Sequence, residues 1–460
     1  MTKKRVAIIG AGLCGSVLAA RLRNTFQVTV VEQGEAKRPL MDEITCIGGG
    51  VNTSINRAEG LGGTTNYWHN ALIELTEAEL RACGLDPSRF ASCYARGWSL
   101  FMSALEQAAS SRIRETNASA LADRACAAAH MVVPHARVNA WHHARAAYPG
   151  DDVHVVHGRV ERLAINDRGD PGQLIVHAPG GRVQLEADHY IFSAGGVATP
   201  ALLAASLGLS DAFCDGYHDH PMAYVAKLRL RSGSRLKEVS CQDTGSASVR
   251  TGFVYEADGL SAVFYLRPAL SLDLKSITGD ARYLLSDLRN DPFSPRKILQ
   301  LLGNLEALRE AVLFKTKAGF TGDYYSVLML GEQRPGDARG IRMVPDGIPD
   351  LNWGVSPAED AAYQTCLARF LDDMSDEIMG AKVVPAERWD YRTAAHHSGA
   401  ARRFLGPQPA TGADFFDVAG ISRASICDAS LLQRGGVANS GLTLVGLAHE
   451  LADALIERGA

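Results

Sequence analysis

The sequence contains no apolar run of about 18 residues or more, the length that a membrane-spanning helix needs. It has no basic stripe and no acidic tail, and its net charge is only −4, so its composition implies no nucleic acid or other polyanionic partner. The charged N-terminal residues lead straight into an apolar strand pattern rather than into a cleavable signal segment. We therefore predict a protein without a membrane span and a cytoplasmic location.

The nine cysteines form no Cys-x-x-Cys pair anywhere in the chain. Such pairs are typical of structural zinc sites and redox-active dithiols, so the sequence supports neither. Scattered thiols favour a reducing compartment. With 46% hydrophobic and 21% charged residues over 460 positions, the chain is long enough for two or three domains around a large core.

A glycine-rich turn follows the first apolar strand, which we predict at 6–9. Gly10, Gly12 and Gly15 have the spacing of a dinucleotide-binding loop. In such a loop the first glycine permits a tight turn, the second lets backbone N–H groups approach a pyrophosphate, and the third lets the next helix pack closely on the strand. The N-terminus of that helix also supplies free N–H donors and partial positive charge, which favour phosphate binding.

The second strand of this unit, predicted at 28–31, ends at an acidic residue. Glu32 is placed to accept hydrogen bonds from ribose hydroxyls. Leu13, Cys14 and Gln33 flank these positions, and we include them among the predicted cofactor contacts. The unit is therefore predicted to bind a dinucleotide.

Beyond this unit the chain does not continue as a regular alternation of strands and helices. Residues 48–66 are rich in glycine, and residues 77–130 predict helices. A strand at 190–192 ends in glycines, and we predict a short helix that begins near 199–200, since proline is well tolerated in a first helical turn. These distant segments are predicted to complete the first sheet.

The pattern changes from about residue 221. Alternating apolar and polar residues predict antiparallel strands at 223–230, 252–255, 262–266 and 324–330. Residues 281–317 predict a helix that covers one face of that sheet, with a substrate lid or a surface for a hydrophobic partner as the alternative. A last helix is predicted from Gly441 to a C-cap at Gly459. The two ends of the chain are thus predicted to form one domain and the middle another, with the active site between them.

We call the glycine-rich turn at 10–15 the phosphate loop. Further short motifs follow it in a fixed order along nearly the whole chain. They are GGTTN at 62–66, SAGGVATP at 193–200, DHP at 219–221, HHSG at 396–399, DAS at 428–430 and NSGLT at 439–443. In this order they resemble the motifs of the glucose–methanol–choline (GMC) family of FAD-dependent oxidoreductases.

The resemblance implies an α/β fold, in which an FAD-binding Rossmann-type domain is joined to a substrate domain built on an antiparallel sheet with helices. We place the FAD-binding domain at 1–220, with an inserted helical segment at about 77–130, and its return segment at 391–460. The substrate domain is placed at 221–390.

The resemblance also implies the contacts of an FAD molecule. Tyr67 stands where some sugar-oxidising members carry a histidine that bonds covalently to the flavin, so we predict that FAD is held non-covalently. Val160 is similar in position to the residue that receives the adenine, with an ordinary strand residue as the alternative. The other contacts carried over from the motifs are Gly62, Gly63, Thr64, Asn66, Ala194, Gly195, Asp428, Ala429, Asn439 and Thr443.

The catalytic residues implied are a histidine base and an asparagine that binds the substrate hydroxyl. His396 matches the family histidine by its spacing to Gly399, but His397 replaces the usual proline, which leaves His397 as the alternative base. Asn439 is the predicted hydroxyl ligand, with a helix N-cap as the alternative. No metal is predicted, because the DHP turn of the family accounts for the neighbouring histidines better than a metal cluster does.

The predicted reaction is oxidation of an alcohol group of a sugar, polyol or biosynthetic intermediate to an aldehyde or ketone. A hydride passes to flavin N5 with His396 as base, and the electron acceptor is O2 or an unidentified carrier. One alternative is a GMC-scaffold flavoprotein with a net non-redox lyase or isomerase reaction. Another is an NAD-dependent dehydrogenase. The sequence favours it less, because it lacks the regular second half of a doubly wound nicotinamide domain.

Overall fold

The chain folds around two main sheets, one parallel and one antiparallel. The computed structural model describes residues 2–40, 45–47, 57–209, 212–277, 295–306, 308–310, 322–342, 350–406 and 412–459. The predicted glycine-rich run at 48–50 lies outside these residues. So does most of the helix predicted over 281–317, of which Pro295–Leu302 is helical.

Five strands form the parallel sheet, in the spatial order Ala424–Ile426, His189–Phe192, Arg5–Ile9, Gln27–Glu32 and His154–His157. The apolar residues of the first four strands are buried, as is usual for strands covered on both faces, while those of His154–His157 at the edge are half-buried. The first and last helices, Leu13–Leu22 and Gly441–Arg458, pack against one another. Segments from both ends of the chain are therefore needed to complete this sheet.

The antiparallel sheet has its own apolar core. Its main path runs through Cys241–Asp243, Ala247–Ala257, Leu260–Pro268, Tyr324–Gly331, Pro221–Leu230 and Ile378–Val383. Arg392–Thr393 pairs with Pro221–Leu230, and Ala127–Pro134 with Ala247–Ala257. The helix Pro357–Asp373 packs on this sheet, where Phe370 stacks on Phe264 with ring centroids 5.1 Å apart. All four predicted strands of this region lie within the observed ones.

Smaller sheets and further helices surround these cores. A three-stranded sheet consists of Arg159–Ile165, Pro171–Ala178 and Gly181–Glu186. A four-stranded sheet consists of Phe213–Asp215, Gly340–Arg342, Asp350–Asn352 and Thr45–Ile47. A two-stranded sheet consists of Arg38–Leu40 and Arg57–Glu59. The other α-helices are Glu77–Ala82, Pro87–Phe101, Ala104–Ala120, Ala140–Ala147, Gly195–Ser206 and Arg235–Ser240. Within the described part of the chain, no helix combines the length and apolarity needed to cross a bilayer.

Two predictions from the sequence are wrong. Residues 127–130 are not helical, because Ala127–Pro134 pairs along the antiparallel sheet and this tertiary pairing overrides an alanine-rich helix preference. The helix predicted near 199–200 begins earlier, at Gly195, and Pro200 lies inside it. The reason is that the Thr199 hydroxyl accepts the N–H of Ala194 at 3.0 Å, which starts the helix directly after the strand.

The carboxyl ends of the parallel strands bring the sequence motifs together. The N–H of Ser193 donates to the carbonyl of Ile9 at 2.9 Å, and the N–H of Cys427 donates to that of Phe192 at 2.8 Å. In open α/β sheets this edge is where ligands bind. The phosphate loop, the 193–200 turn and the 428–430 turn therefore share one edge of the sheet.

Candidate active site

The phosphate loop has the backbone that its three glycines predict. Gly10 has a φ of +100°, and a Cβ there would lie 2.6 Å from the carbonyl oxygen of Ser193. A Cβ on Gly15 would lie 2.0 Å from the carbonyl oxygen of Gly10, so both positions require glycine. At Gly12 there is open space instead. A Cβ built there would have none of the described atoms outside its immediate neighbours within 4 Å. No side chain caps the helix Leu13–Leu22, whose N-cap is Gly12. Open space beside uncapped N–H groups is what a pyrophosphate requires.

Glu32 ties this loop to the next motif. Its carboxylate is buried, and its two oxygens accept the N–H groups of Ala11 at 2.8 Å and Gly60 at 2.9 Å. Burial raises the pKa of Glu32, and these hydrogen bonds act in the opposite direction. The side chain thus fixes the phosphate loop through backbone contacts, and its contact with a ribose stays a prediction.

The GGTTN motif lies directly against the phosphate loop. The N–H of Gly62 donates to the carbonyl of Ala11 at 2.9 Å. Asn66 accepts a hydrogen bond from Asn139 Nδ2 at 2.6 Å and donates its own amide to carbonyl oxygens of the same loop. Its side chain therefore shapes the loop, which leaves the exposed Thr64 and the backbone for the predicted cofactor contacts.

Asp428 joins the turns at 193–200 and 428–430. One carboxylate oxygen accepts the N–H of Gly195 at 2.9 Å and the hydroxyl of Thr199 at 2.5 Å. The other accepts the N–H and the hydroxyl of Ser430, at 2.9 Å and 2.6 Å. Burial raises the pKa of this carboxyl, and the four donors oppose that shift. Asp428 thus holds the two turns together, and its contact with a cofactor stays a prediction.

Asp428→Ala is expected to destabilise the protein by about 3 kcal/mol or more, because it leaves three buried donors and one half-buried donor without their acceptor. Thermal unfolding of the purified protein measures this as a lowered Tm. The control is Asp167→Ala, which removes an exposed carboxylate and should leave the Tm almost unchanged. Equal Tm values for the two variants would contradict the structural role of Asp428.

His396 and Asn439, the two residues predicted to face the substrate, lie next to each other. Asn439 Nδ2 donates to His396 Nε2 at 3.1 Å, and Asn439 Oδ1 accepts the N–H of Gly441 at 3.2 Å. Because a backbone N–H only donates, the amide oxygen must face Gly441 and the amide nitrogen must face His396. One side chain therefore serves both the helix N-terminus and the histidine.

The DHP turn also contacts His396, which the sequence did not reveal. Asp219 Oδ1 accepts the backbone N–H groups of His220 at 2.6 Å and of His396 at 3.0 Å. The Nδ1 atoms of His220 and His396 are 2.9 Å apart. Ala395, just before His396, has a left-handed backbone with a φ of +59°. A strained residue beside a functional group is a known feature of active sites.

Burial governs the protonation of this cluster. It lowers the pKa of His396 well below 6.5, and the neighbouring His220 and His397 act in the same direction. It raises the pKa of Asp219 to about 7, against the hydrogen bonds that this carboxyl accepts. His396 is therefore a neutral imidazole at neutral pH.

Asp219, His220 and His396 also have the spacing of a metal site, since each offers a ligand atom within 4.8 Å of the others. Two nitrogen ligands of a tetrahedral zinc ion would be roughly 3.3 Å apart. The Nδ1 atoms of His220 and His396 are 2.9 Å apart, which is a hydrogen-bond distance. Asp219 Oδ1 already accepts hydrogen bonds from two backbone N–H groups. We therefore interpret the cluster as a hydrogen-bonded one.

His397 has a different setting from its neighbour. Its Nδ1 lies 2.7 Å from the hydroxyl of Tyr217, which donates to the second oxygen of Asp219 at 3.3 Å. Its ring is buried, and a Cβ on Gly196 would lie 1.9 Å from its backbone oxygen. The structure therefore pairs Asn439 with His396, while His397 packs beside the start of the helix Gly195–Ser206.

The remaining predicted contacts lie around the same turns. The Thr443 hydroxyl is 2.8 Å from the hydroxyl of Tyr94. Val160 lies two residues after Gly158, whose N–H donates to the carbonyl of Glu32 at 2.8 Å. Gln33 is exposed. The others are buried or half-buried: Leu13, Cys14, Gly63, Tyr67, Ala194 and Ala429.

No family model and no curated protein matches this sequence. Solved structures do match its fold. Pyridoxine 4-oxidase from Mesorbium loti is similar over 99% of both chains, with a TM-score of 0.61 and 13% identity. A formate oxidase is similar over 100% of this chain and 99% of its own, with a TM-score of 0.60 and 15% identity. A variant formate oxidase of Aspergillus oryzae RIB40, from work on FAD modification, has a TM-score of 0.59, 16% identity and the same coverage.

These likenesses confirm the predicted fold, a Rossmann-type α/β unit with a second, antiparallel sheet. At such low identity they do not extend beyond the fold.

Proposed function

We propose that the protein is an FAD-dependent oxidoreductase that converts the CH–OH group of a small alcohol into an aldehyde or ketone. The observation that carries this proposal is the pair of His396 Nε2 and Asn439 Nδ2, 3.1 Å apart. One atom accepts a hydrogen bond and the other donates one. A hydroxyl group fits both at once, because it is itself a donor and an acceptor.

The residues present fit FAD. The open space at Gly12 and the uncapped helix behind it suit a pyrophosphate, and Glu32 ends the neighbouring strand, where a ribose would lie. Tyr67 stands in place of the histidine that bonds to the flavin in some GMC members, so we propose non-covalent binding. When bound, FAD supplies a flavin ring that accepts a hydride at N5.

His396 is the proposed base and Asn439 the proposed hydroxyl ligand. The proton of the substrate hydroxyl passes to His396 Nε2 while Asn439 holds the oxygen. With FAD bound, the C–H hydrogen would leave with both its electrons to the flavin, and the C=O bond would form. The lowered pKa of His396 keeps it in the proton-accepting form at neutral pH. The N-terminus of the helix Gly441–Arg458 would provide positive potential for a flavin bound beside it.

The first experiment is anaerobic mixing of the purified protein with a panel of alcohols. We expect a yellow protein that releases unmodified FAD on denaturation and whose flavin bleaches with at least one sugar or polyol. Pyridoxine and formate belong in the panel, since similar folds occur in pyridoxine 4-oxidase and formate oxidase. Bleaching by formate alone would contradict a CH–OH donor. Turnover with a flavin that stays oxidised would favour the lyase or isomerase alternative.

The electron acceptor is tested by admitting air to the reduced protein. Reoxidation as fast as turnover supports an oxidase that uses O2. Slow reoxidation supports a dehydrogenase that passes its electrons to another carrier.

A further inference from the structure

Four hydrogen bonds join two backbone groups through the side chains of His220, His396 and Asn439. His220 Nε2 lies 2.9 Å from the carbonyl oxygen of Gly436, and His220 Nδ1 lies 2.9 Å from His396 Nδ1. His396 Nε2 accepts from Asn439, whose oxygen accepts the N–H of Gly441. The chain therefore runs from a backbone donor at Gly441 to a backbone acceptor at Gly436.

The two ends fix the position of every proton between them. A carbonyl oxygen only accepts, so the proton of neutral His220 must be on Nε2, and its Nδ1 must be an acceptor. His396 must then donate from Nδ1, which leaves Nε2 without a proton. The same result follows from the other end, since Gly441 turns the amide nitrogen of Asn439 toward His396 Nε2. All four hydrogen bonds thus point in one direction.

The orientation of the His220 ring is also fixed. A Cβ on Gly435 would lie 3.1 Å from both Cε1 and Nε2 of that ring, so the 435–436 backbone packs directly on it. Arg434 forms an ion pair with the fully buried Glu332, which holds this segment in place. Turning the ring over would put carbon atoms where its two nitrogen atoms now form hydrogen bonds.

We infer that His220 is a positioning residue that keeps the proton of His396 on Nδ1 and so leaves Nε2 as the proton-accepting atom. Its importance for catalysis rests on the proposed function. When a substrate hydroxyl takes the place of Asn439 at Nε2, His220 is the remaining member of the chain that fixes the tautomer. Its Nδ1 also accepts the hydrogen bond from Nδ1–H of the imidazolium that forms when His396 takes up the substrate proton. An orienting group behind a catalytic histidine plays this part in other enzymes.

The tautomer is measured directly by NMR of protein labelled with 15N-histidine, because a ring nitrogen without a proton resonates far from one that carries a proton. His396 is assigned from the signals that disappear in His396→Ala. We expect Nδ1–H in the wild type and in Asn439→Ala, and a mixture of tautomers in the double variant Asn439→Ala/His220→Leu. The matched control is Asn439→Ala/His218→Leu, which removes an equally buried imidazole of the same turn and should keep Nδ1–H.

A proton on His396 Nε2 in the wild type overturns the inference, and this result does not depend on whether any variant folds. A proton on Nε2 is also expected if a metal ion is bound by the Nδ1 atoms of His220 and His396 together with Asp219. A double variant that keeps only Nδ1–H overturns it as well. The measurement needs no substrate, so it decides the inference even if the proposed alcohol oxidation proves wrong.

Kinetics test the consequence for catalysis. His220→Leu alone should slow flavin reduction by a bleaching alcohol about 10-fold or more, while His218→Leu should not. Loss of the partner that orients a metal-bound histidine typically costs about 10- to 100-fold in activity, and we expect a similar loss for a histidine base. Unchanged flavin reduction in a folded His220→Leu protein would overturn the positioning role. If no alcohol reduces the wild-type flavin, the proposed function fails instead, and the NMR result stands by itself.

Discussion

Replacing His396 by alanine is expected to slow flavin reduction by an alcohol about 100-fold or more, while the protein stays folded and yellow. The substitution removes the nitrogen that lies 3.1 Å from Asn439 Nδ2 and accepts its hydrogen bond. The rate is measured by anaerobic stopped-flow spectroscopy, with FAD content and Tm as controls for binding and folding.

His397→Ala is the matched comparison, since it removes the adjacent imidazole. His397 contacts Tyr217, which joins it to the second oxygen of Asp219, so we expect a smaller loss of rate. The opposite order of effects would assign the base to His397. Nearly normal flavin reduction in His396→Ala would show that the base is not His396.

The local patterns of the sequence predicted the phosphate loop well. Gly10 and Gly15 occupy positions where a Cβ would collide with backbone oxygen atoms, and this follows from the spacing of three glycines between a strand and a helix. The last helix was predicted in the same way, from the period of its apolar residues and from Gly459, which has the left-handed C-cap backbone. Such features depend on neighbours in the sequence and can be read from it.

The partners of the buried carboxylates could not be predicted. Asp428 binds donors from 195 and 199 as well as from its own turn, and Glu32 binds the N–H of Gly60. The sequence placed both residues near a cofactor by their motifs, but it could not show which backbone groups would reach them. Those contacts depend on how separate segments return to one edge of the sheet.

The role of His220 was missed for a related reason. The DHP motif indicates a turn of the family, but the sequence does not show which side chains that turn contacts. The turn contacts His396, which is far from it in the sequence, by two hydrogen bonds. Asp219 accepts the backbone N–H of His396, and the Nδ1 atoms of His220 and His396 are 2.9 Å apart. A motif can reveal that a turn is present, but the direction in which its side chains point is set by tertiary packing.

Gly12→Ala is expected to weaken FAD binding by about 10-fold or more while the protein without cofactor remains folded, a loss of at least about 1.4 kcal/mol in binding free energy. Gly12 has an ordinary extended backbone with a φ of −68°, and a Cβ there meets none of the described atoms outside its immediate neighbours within 4 Å. Alanine is a poorer N-cap than glycine by about 0.5–1 kcal/mol, but it also reduces the entropy of the unfolded chain by a similar amount. The fold therefore tolerates the methyl group, whereas a pyrophosphate would need the same space.

Gly180→Ala is the matched control, because a Cβ at that exposed turn also meets no described atom within 4 Å, and the turn lies in the hairpin between Pro171–Ala178 and Gly181–Glu186. Titration of the apo-proteins with FAD, followed by flavin fluorescence, gives the two affinities, and thermal unfolding gives the two stabilities. Weakened binding in Gly12→Ala alone, with equal Tm values for the apo-proteins, separates the phosphate contact from folding. Equal FAD affinity in both variants would mean that the cofactor does not approach the backbone at Gly12. The phosphate loop would then be a structural turn, and the proposed position of FAD would have to be abandoned.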